Sequence, residues 1–144
     1  MKIRIIFAAA AAVLVLSGCS GKKEDKPVEL SYSVFFPAAH LQAQTAAEWA
    51  GEVEKRPGGR VKITRYAGET LTKAAQVYEG VVNGVSDLGM SVFAYTRGRF
   101  PLLEALDLPL GYPDGTTATK IANAVVKKYK PAELGDVEVM YLHA

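Results

Sequence analysis

Cysteine is almost absent from the sequence: Cys19 is the only one in 144 residues. That excludes an internal disulfide and a cysteine-rich zinc site. Histidine is nearly as scarce, since His40 and His143 stand far apart and neither has acidic residues at metal-ligand spacing. Excess charge of one sign is missing as well. The formal net charge of +2 comes from Lys2 and Arg4, and the remaining 15 basic residues balance 15 acidic ones. With no basic patch, nucleic acid is a poor partner. There is no Gly-x-Ser-x-Gly elbow and no Ser, His and Asp marked out by spacing, and Gly58-Gly59 lacks the Lys-Ser/Thr that a phosphate loop needs. These absences argue against an enzyme, a metal site and a bound cofactor.

What remains is an ordinary globular composition, 49% hydrophobic and 22% charged, with length for one domain and a real core. The N-terminus carries the strongest local signal. Lys2 and Arg4 precede an apolar run over residues 5–16, too short and too poorly flanked to span a membrane but suited to the centre of a secretory signal. It closes in Leu16-Ser17-Gly18-Cys19, which resembles the lipobox of bacterial lipoproteins, where the cysteine becomes the first mature residue and carries lipid. The alternative is a plain signal peptide with a cysteine nearby by chance. The lipobox reading divides the chain into a signal peptide (1–18), a lipidated Cys19 with a polar tether (19–27) and a folded region (28–144). Multiple acyl chains on Cys19 would hold an exported protein at the membrane, on its extracytoplasmic face.

The folded region reads as successive β-then-α units. Strands are predicted over 29–36, 60–66 and 85–92, and helices over 40–55 and 72–83, with Asn83-Gly84 stopping the second. This order predicts a mainly parallel sheet with helices on both faces. Residues 100–106 suggest a short helix or irregular segment, 117–130 a helix with Ile121, Ala124 and Val125 on its inner side, and 137–142 a last strand.

Ligands of parallel sheets sit beyond the carboxyl ends of the strands. Those ends offer Phe35 and Phe36, then Tyr66, then Ser91, Phe93 and Tyr95, then His143, with His40 in the turn after the first strand. Each has a structural alternative. Phe35 or Phe36 can be core, Tyr66 a cap on the sheet edge, Phe93 and Tyr95 packing groups, and His40 an exposed helix start. Asp87, a charge inside an apolar run, is expected to pair with a backbone group or a lysine.

Several short motifs stand in one order along the chain. They are Phe36-Pro37 with His40, Gly59-Arg60-Val61, Tyr66-Ala67-Gly68 with Leu71, Glu79-Gly80-Val81 with Gly84, Asp87-Leu88-Gly89, and Phe100-Pro101-Leu102 with Leu108-Pro109. Together they resemble the first lobe of the solute-binding proteins of TRAP transporters, dicarboxylate type. The resemblance implies a type II periplasmic-binding-protein-like fold, no enzymatic activity and a carboxylate-bearing solute. It also implies delivery to a permease of small and large membrane subunits, driven by an ion gradient. On it, Phe36, His40, Tyr66, Ser91, Phe93 and Tyr95 are the candidate ligand contacts.

Family members are roughly twice this length, and nothing in the sequence matches their Asp-x-x-Gly-x-Lys-x-Arg segment, whose arginine clamps the carboxylate. The expectation is a first lobe truncated before the second, binding its solute at about millimolar strength. Two other readings remain: a lipid-anchored one-lobe interaction domain that binds no solute, and an exported hydrolase.

Overall fold

The computed structural model describes residues 26–56 and 60–143. The leader, Cys19 and the expected helix stop at Pro57-Gly58-Gly59 lie outside them. The first strand, β1 (Val28–Val34), lies between β2 (Val61–Ala67) and β3 (Leu88–Met90), and both pairings are parallel. Between β1 and β2 runs α1 (Leu41–Lys55); α2 (Val77–Val82) precedes β3; α3 (Pro101–Glu104) and α4 (Gly115–Tyr129) follow. The expected α/β architecture is present, with helices on both faces of a parallel sheet.

Alternation along β1 assigns the faces. Tyr32 and Val34, with Ile63 and Met90 from the flanking strands, bury against Ala43, Ala46 and Ala50 of α1. Ser33 points the other way and shares a hydrogen bond with the hydroxyl of Thr72. On that second face α2 lies so close to β3 that a Cβ at Gly89 would fall 2.7 Å from Val77 Cγ1 and 2.8 Å from Val81 Cγ2. Only glycine fits there.

A second core lies beyond the sheet, where Tyr78, Phe100, Leu103 and Leu134 are buried together. Polar groups fasten it. The Glu133 carboxylate accepts from the Leu102 and Leu103 amides at 3.3 and 3.0 Å, and the Tyr78 hydroxyl donates to the Glu133 carbonyl. Arg99 bridges Glu79 and Asp136 while its guanidinium lies over the Tyr78 ring. The Phe100-Pro101 motif is therefore scaffold, with Pro101 opening α3 at a position where a missing N–H costs nothing.

Four elements differ from the sequence expectation. The second helix does not begin at Thr72, because Thr72 is buried against Ser33 and Lys73 is extended; a 3-10 turn (Ala74–Gln76) leads into α2 instead. It does stop at Asn83-Gly84, where Gly84 takes φ +71°. β3 is three residues long, not eight, since the Val85 and Ser86 amides bond to the Gly80 carbonyl at the end of α2. In α4 the buried residue is Ala118 and Val126 meets the second core, leaving Ile121 38% exposed; the helix is turned relative to its expected apolar side. Residues 137–142 form no strand. Val137 and Val139 face the second core as alternate residues of a strand would, but the segment pairs with no strand among the described residues.

Asp87 behaves as expected of a charge paired with backbone: it accepts from the Ser31 hydroxyl at 2.6 Å and the Ser31 amide at 2.7 Å. These bonds hold its carboxyl below the usual aspartate range. The unfolded chain then binds the proton more readily, so this contribution is full above about pH 4, the ordinary aspartate pKa, and is lost as pH falls through the lower folded value. Asp87→Asn should flatten the acid limb of a stability–pH curve measured by urea unfolding between pH 2 and 6; an unchanged limb would refute the assignment. Gly89→Ala should lower unfolding free energy by about 1–3 kcal/mol through overpacking against Val77 and Val81, read as a drop in the urea midpoint at pH 7.

Candidate functional site

The last residues of β1 lead straight into an aromatic array. Phe35 and Phe36 have ring centroids 4.0 Å apart; Phe36 stacks on the His40 imidazole at 4.2 Å with planes 8° apart; Phe35 meets Tyr95 edge-on at 5.4 Å. Phe35 is buried and supports the others, whereas Tyr95 is half exposed and His40 is exposed. The Gly68 amide, just past β2, donates to the Phe36 carbonyl at 2.9 Å and fixes this end of the sheet.

His40 is placed by its capping role. Its backbone is extended, and its Nδ1 accepts from the Gln42 amide at 3.2 Å, closing the first turn of α1. A lone pair on Nδ1 leaves the proton of the neutral ring on Nε2. That N–H is a donor available to an anion, beside a flat aromatic surface that can hold an apolar or aromatic body.

Ser91 is exposed immediately beyond β3, and Phe93 begins the 3-10 segment Phe93–Thr96. Phe93 turns toward Phe100 at 5.1 Å, edge to face, and packs on the second core. Tyr66 still lies within β2, opposite Ser33, and makes no ring contact with the array. The structure thus gathers Phe36, His40 and Tyr95 around Phe35, sets Ser91 and Phe93 apart, and leaves Tyr66 in the strand.

A separate cavity of about 460 Å³ opens along the free edge of β3. Of the six candidates only Ser91 and Phe93 line it, with Tyr141, Leu142 and His143 on the opposite wall. Tyr32 also reaches it, and burial, with Tyr141 adding, pushes its hydroxyl above the usual tyrosine range. Sequence reasoning did not associate Met140 or Tyr141 with any site. The signal was available in an apolar segment predicted as a strand with no neighbour named for it. Among the described residues no group of three or more His, Cys, Asp or Glu is placed to share a metal ion.

The parallel sheet with helices on both faces is one α/β lobe of the kind found in type II periplasmic binding proteins. The profile of the bacterial extracellular solute-binding protein family 7 (DctP) matches residues 32–138, and the chain belongs to that family. Solved structures agree. A TRAP periplasmic solute-binding protein from Desulfovibrio salexigens is 37% identical, with a TM-score of 0.71 over 75% of this chain and 34% of that one. A marine metagenome TRAP solute-binding protein, described as specific for aromatic acids and crystallised with 3-hydroxybenzoate, is 28% identical, with a TM-score of 0.77 over 82% of this chain and 38% of that one. A TRAP solute-binding protein from Bordetella bronchiseptica, bound to (R)- and (S)-mandelate, is 27% identical, with a TM-score of 0.72 over 81% and 38%. The chain therefore spans little more than a third of the length of these relatives.

The capping role of His40 has a measurable energetic consequence. His40→Ala should cost about 1 kcal/mol of stability, whereas His40→Asn, with a good capping side chain, should cost only a few tenths. Equal losses in urea unfolding would show that the Nδ1 bond is not what stabilises the start of α1.

Proposed function

We propose that this chain supplies the first lobe of the solute-binding component of a TRAP-type transporter, which captures a small organic acid outside the cytoplasm. The loaded protein would deliver it to a membrane permease of small and large subunits. The observation that carries the reading is the stacked Phe36–His40 pair, backed by Phe35 and Tyr95, at the end of β1 in a family of extracellular solute-binding proteins. In this reading Phe36 and Tyr95 face the body of the solute, His40 Nε2 donates to its carboxylate, and Ser91 offers a second polar contact. Phe93 and Tyr66 act as support. The lobe is tethered to the membrane through lipid on Cys19, after removal of residues 1–18; no helix among the described residues is itself long and apolar enough to cross a membrane.

The aromatic surface favours solutes with a ring over small dicarboxylates. That preference accords with the 3-hydroxybenzoate and mandelate bound by two of the relatives. If this lobe alone binds at about 1 mM, 10 mM ligand should stabilise the fold by about 1.4 kcal/mol.

Thermal unfolding of the chain from Ser20 onward, with 10 mM 3-hydroxybenzoate, mandelate or succinate, tests this. The aromatic acids should raise Tm by about 5 °C, succinate by much less, and Phe36→Leu should remove the difference. No shift with any acid would favour the interaction domain that binds no solute. Equal shifts with succinate would overturn the aromatic preference.

A further inference from the structure

Asparagine occurs twice in the sequence, at Asn83 and Asn123, and the fold treats the two differently. Both are exposed, and both donate from Nδ2 to the carbonyl four residues back, that of Glu79 and of Thr119, at 2.8 Å. Asn123 is tied a second time, to the Leu142 carbonyl at 2.9 Å, and the Ala124 that follows lies well inside α4. Asn83 stands at the end of α2, and its bonds among the described residues stay within that helix. The Gly84 that follows takes φ +71°, with nothing within 4 Å of where a Cβ would stand.

This arrangement sets a backbone nitrogen beside a side-chain amide. Closing the Gly84 nitrogen onto Asn83 Cγ makes a five-membered ring, and a glycine leaves that nitrogen unhindered. Three bonds hold the two groups apart. The Asn83 N–H donates to the Glu79 carbonyl at 2.9 Å, Asn83 Nδ2 donates to the same carbonyl, and the Gly84 N–H donates to the Val81 carbonyl at 3.0 Å. All three belong to the last turn of a six-residue helix, and terminal turns open without the rest of the fold. Opening at Asn123 has to break α4 internally and release Leu142 as well.

We propose that Asn83 is a site of spontaneous deamidation in the folded protein. As the last turn of α2 opens, hydroxide takes the Gly84 amide proton and the nitrogen forms a bond to Asn83 Cγ. The Cγ–Nδ2 bond breaks, and Nδ2 takes a proton from water and leaves as ammonia. Water then opens the cyclic imide at one of its two carbonyls. One opening leaves aspartate; the other leaves isoaspartate, whose backbone runs through Cβ and Cγ and is longer by a methylene. Either product replaces the donor to Glu79 with a carboxylate at the end of α2, where the helix dipole disfavours it. The lengthened backbone falls just before the contacts that seat β3, the Val85 and Ser86 amides on the Gly80 carbonyl and Asp87 on Ser31. Conversion therefore loosens β3 from its leading end.

The test holds the full chain folded at pH 8 and 37 °C, with peptide mapping by mass spectrometry and isoaspartyl methyltransferase labelling over days. The peptide carrying Asn83 should gain acid in two chromatographic forms and accept label, while Asn123 converts at least about tenfold more slowly. Asn83→Gln keeps an amide but needs a larger ring, so that peptide should neither convert nor take label. Amides at 85–90 should exchange about tenfold faster in the aged chain than in the fresh one, and aged Asn83→Gln should show no change. Conversion of Asn83 in urea-unfolded chain but not in folded chain overturns the proposal. So does equal conversion at Asn83 and Asn123, or a converted chain whose amides at 85–90 exchange as before.

Discussion

The central position of β1 is the constraint from which the rest of the lobe follows. With β2 on one edge and β3 on the other, every second side chain of β1 must enter a different helical layer. Tyr32 and Val34 take α1, and Ser33 takes Thr72 on the α2 side. A slip of one residue would send the serine into the alanine face of α1 and the tyrosine into the tight packing of α2. Asp87, bonded to Ser31, fixes β3 against β1 before its short ladder begins. The same register determines where β1 ends, and therefore that Phe35 and Phe36 emerge together at the carboxyl end of the sheet, with His40 a few residues on.

Beyond β3 the chain changes its means of support. From Phe93 to Val139 there is no ladder, and the helices are short apart from α4. Order comes instead from single carboxylates placed against backbone amides and from one guanidinium shared between two acids. Glu133 ties α3 to the turn after α4, and Arg99 ties the end of the 3-10 segment to α2 and to Asp136. The Arg99 bridges are largely solvated and screened, so each contributes little by itself. The burial of Phe100 and Leu103, 1% and 0% exposed, supplies most of the stabilisation in this region. The polar clamps fix geometry around that pair.

Legibility in the sequence tracked how local the determining interaction is. β1, α1 and β2 were readable because alternation and 3.6-residue periodicity report burial against one helix, and His40 was readable as the start of α1. The start of α2 depends on Thr72 meeting Ser33, 39 residues away in sequence, which no local pattern reveals. The short β3 depends on the Val85 and Ser86 amides turning back to Gly80, and a strand at 137–142 would depend on a paired neighbour, which is not a property of that segment. At the strand ends, the pairing of Phe36 with His40 lies within one turn and could be anticipated. Phe93 is drawn away by Phe100, and Tyr66 stays in its strand because β2 extends to Ala67. Asp87 could be read as a paired charge, but its partner Ser31 lies on another strand.

The strand-end array draws on all three strands. Phe35 and Phe36 continue β1, the Gly68 amide just past β2 holds the Phe36 carbonyl, and Tyr95, five residues past β3, reaches Phe35. A shift in the register of either flanking strand would therefore move one side of the array relative to the other. Because β3 has only three residues, the Asp87–Ser31 bonds that fix it against β1 also bear on where Tyr95 sits against Phe35.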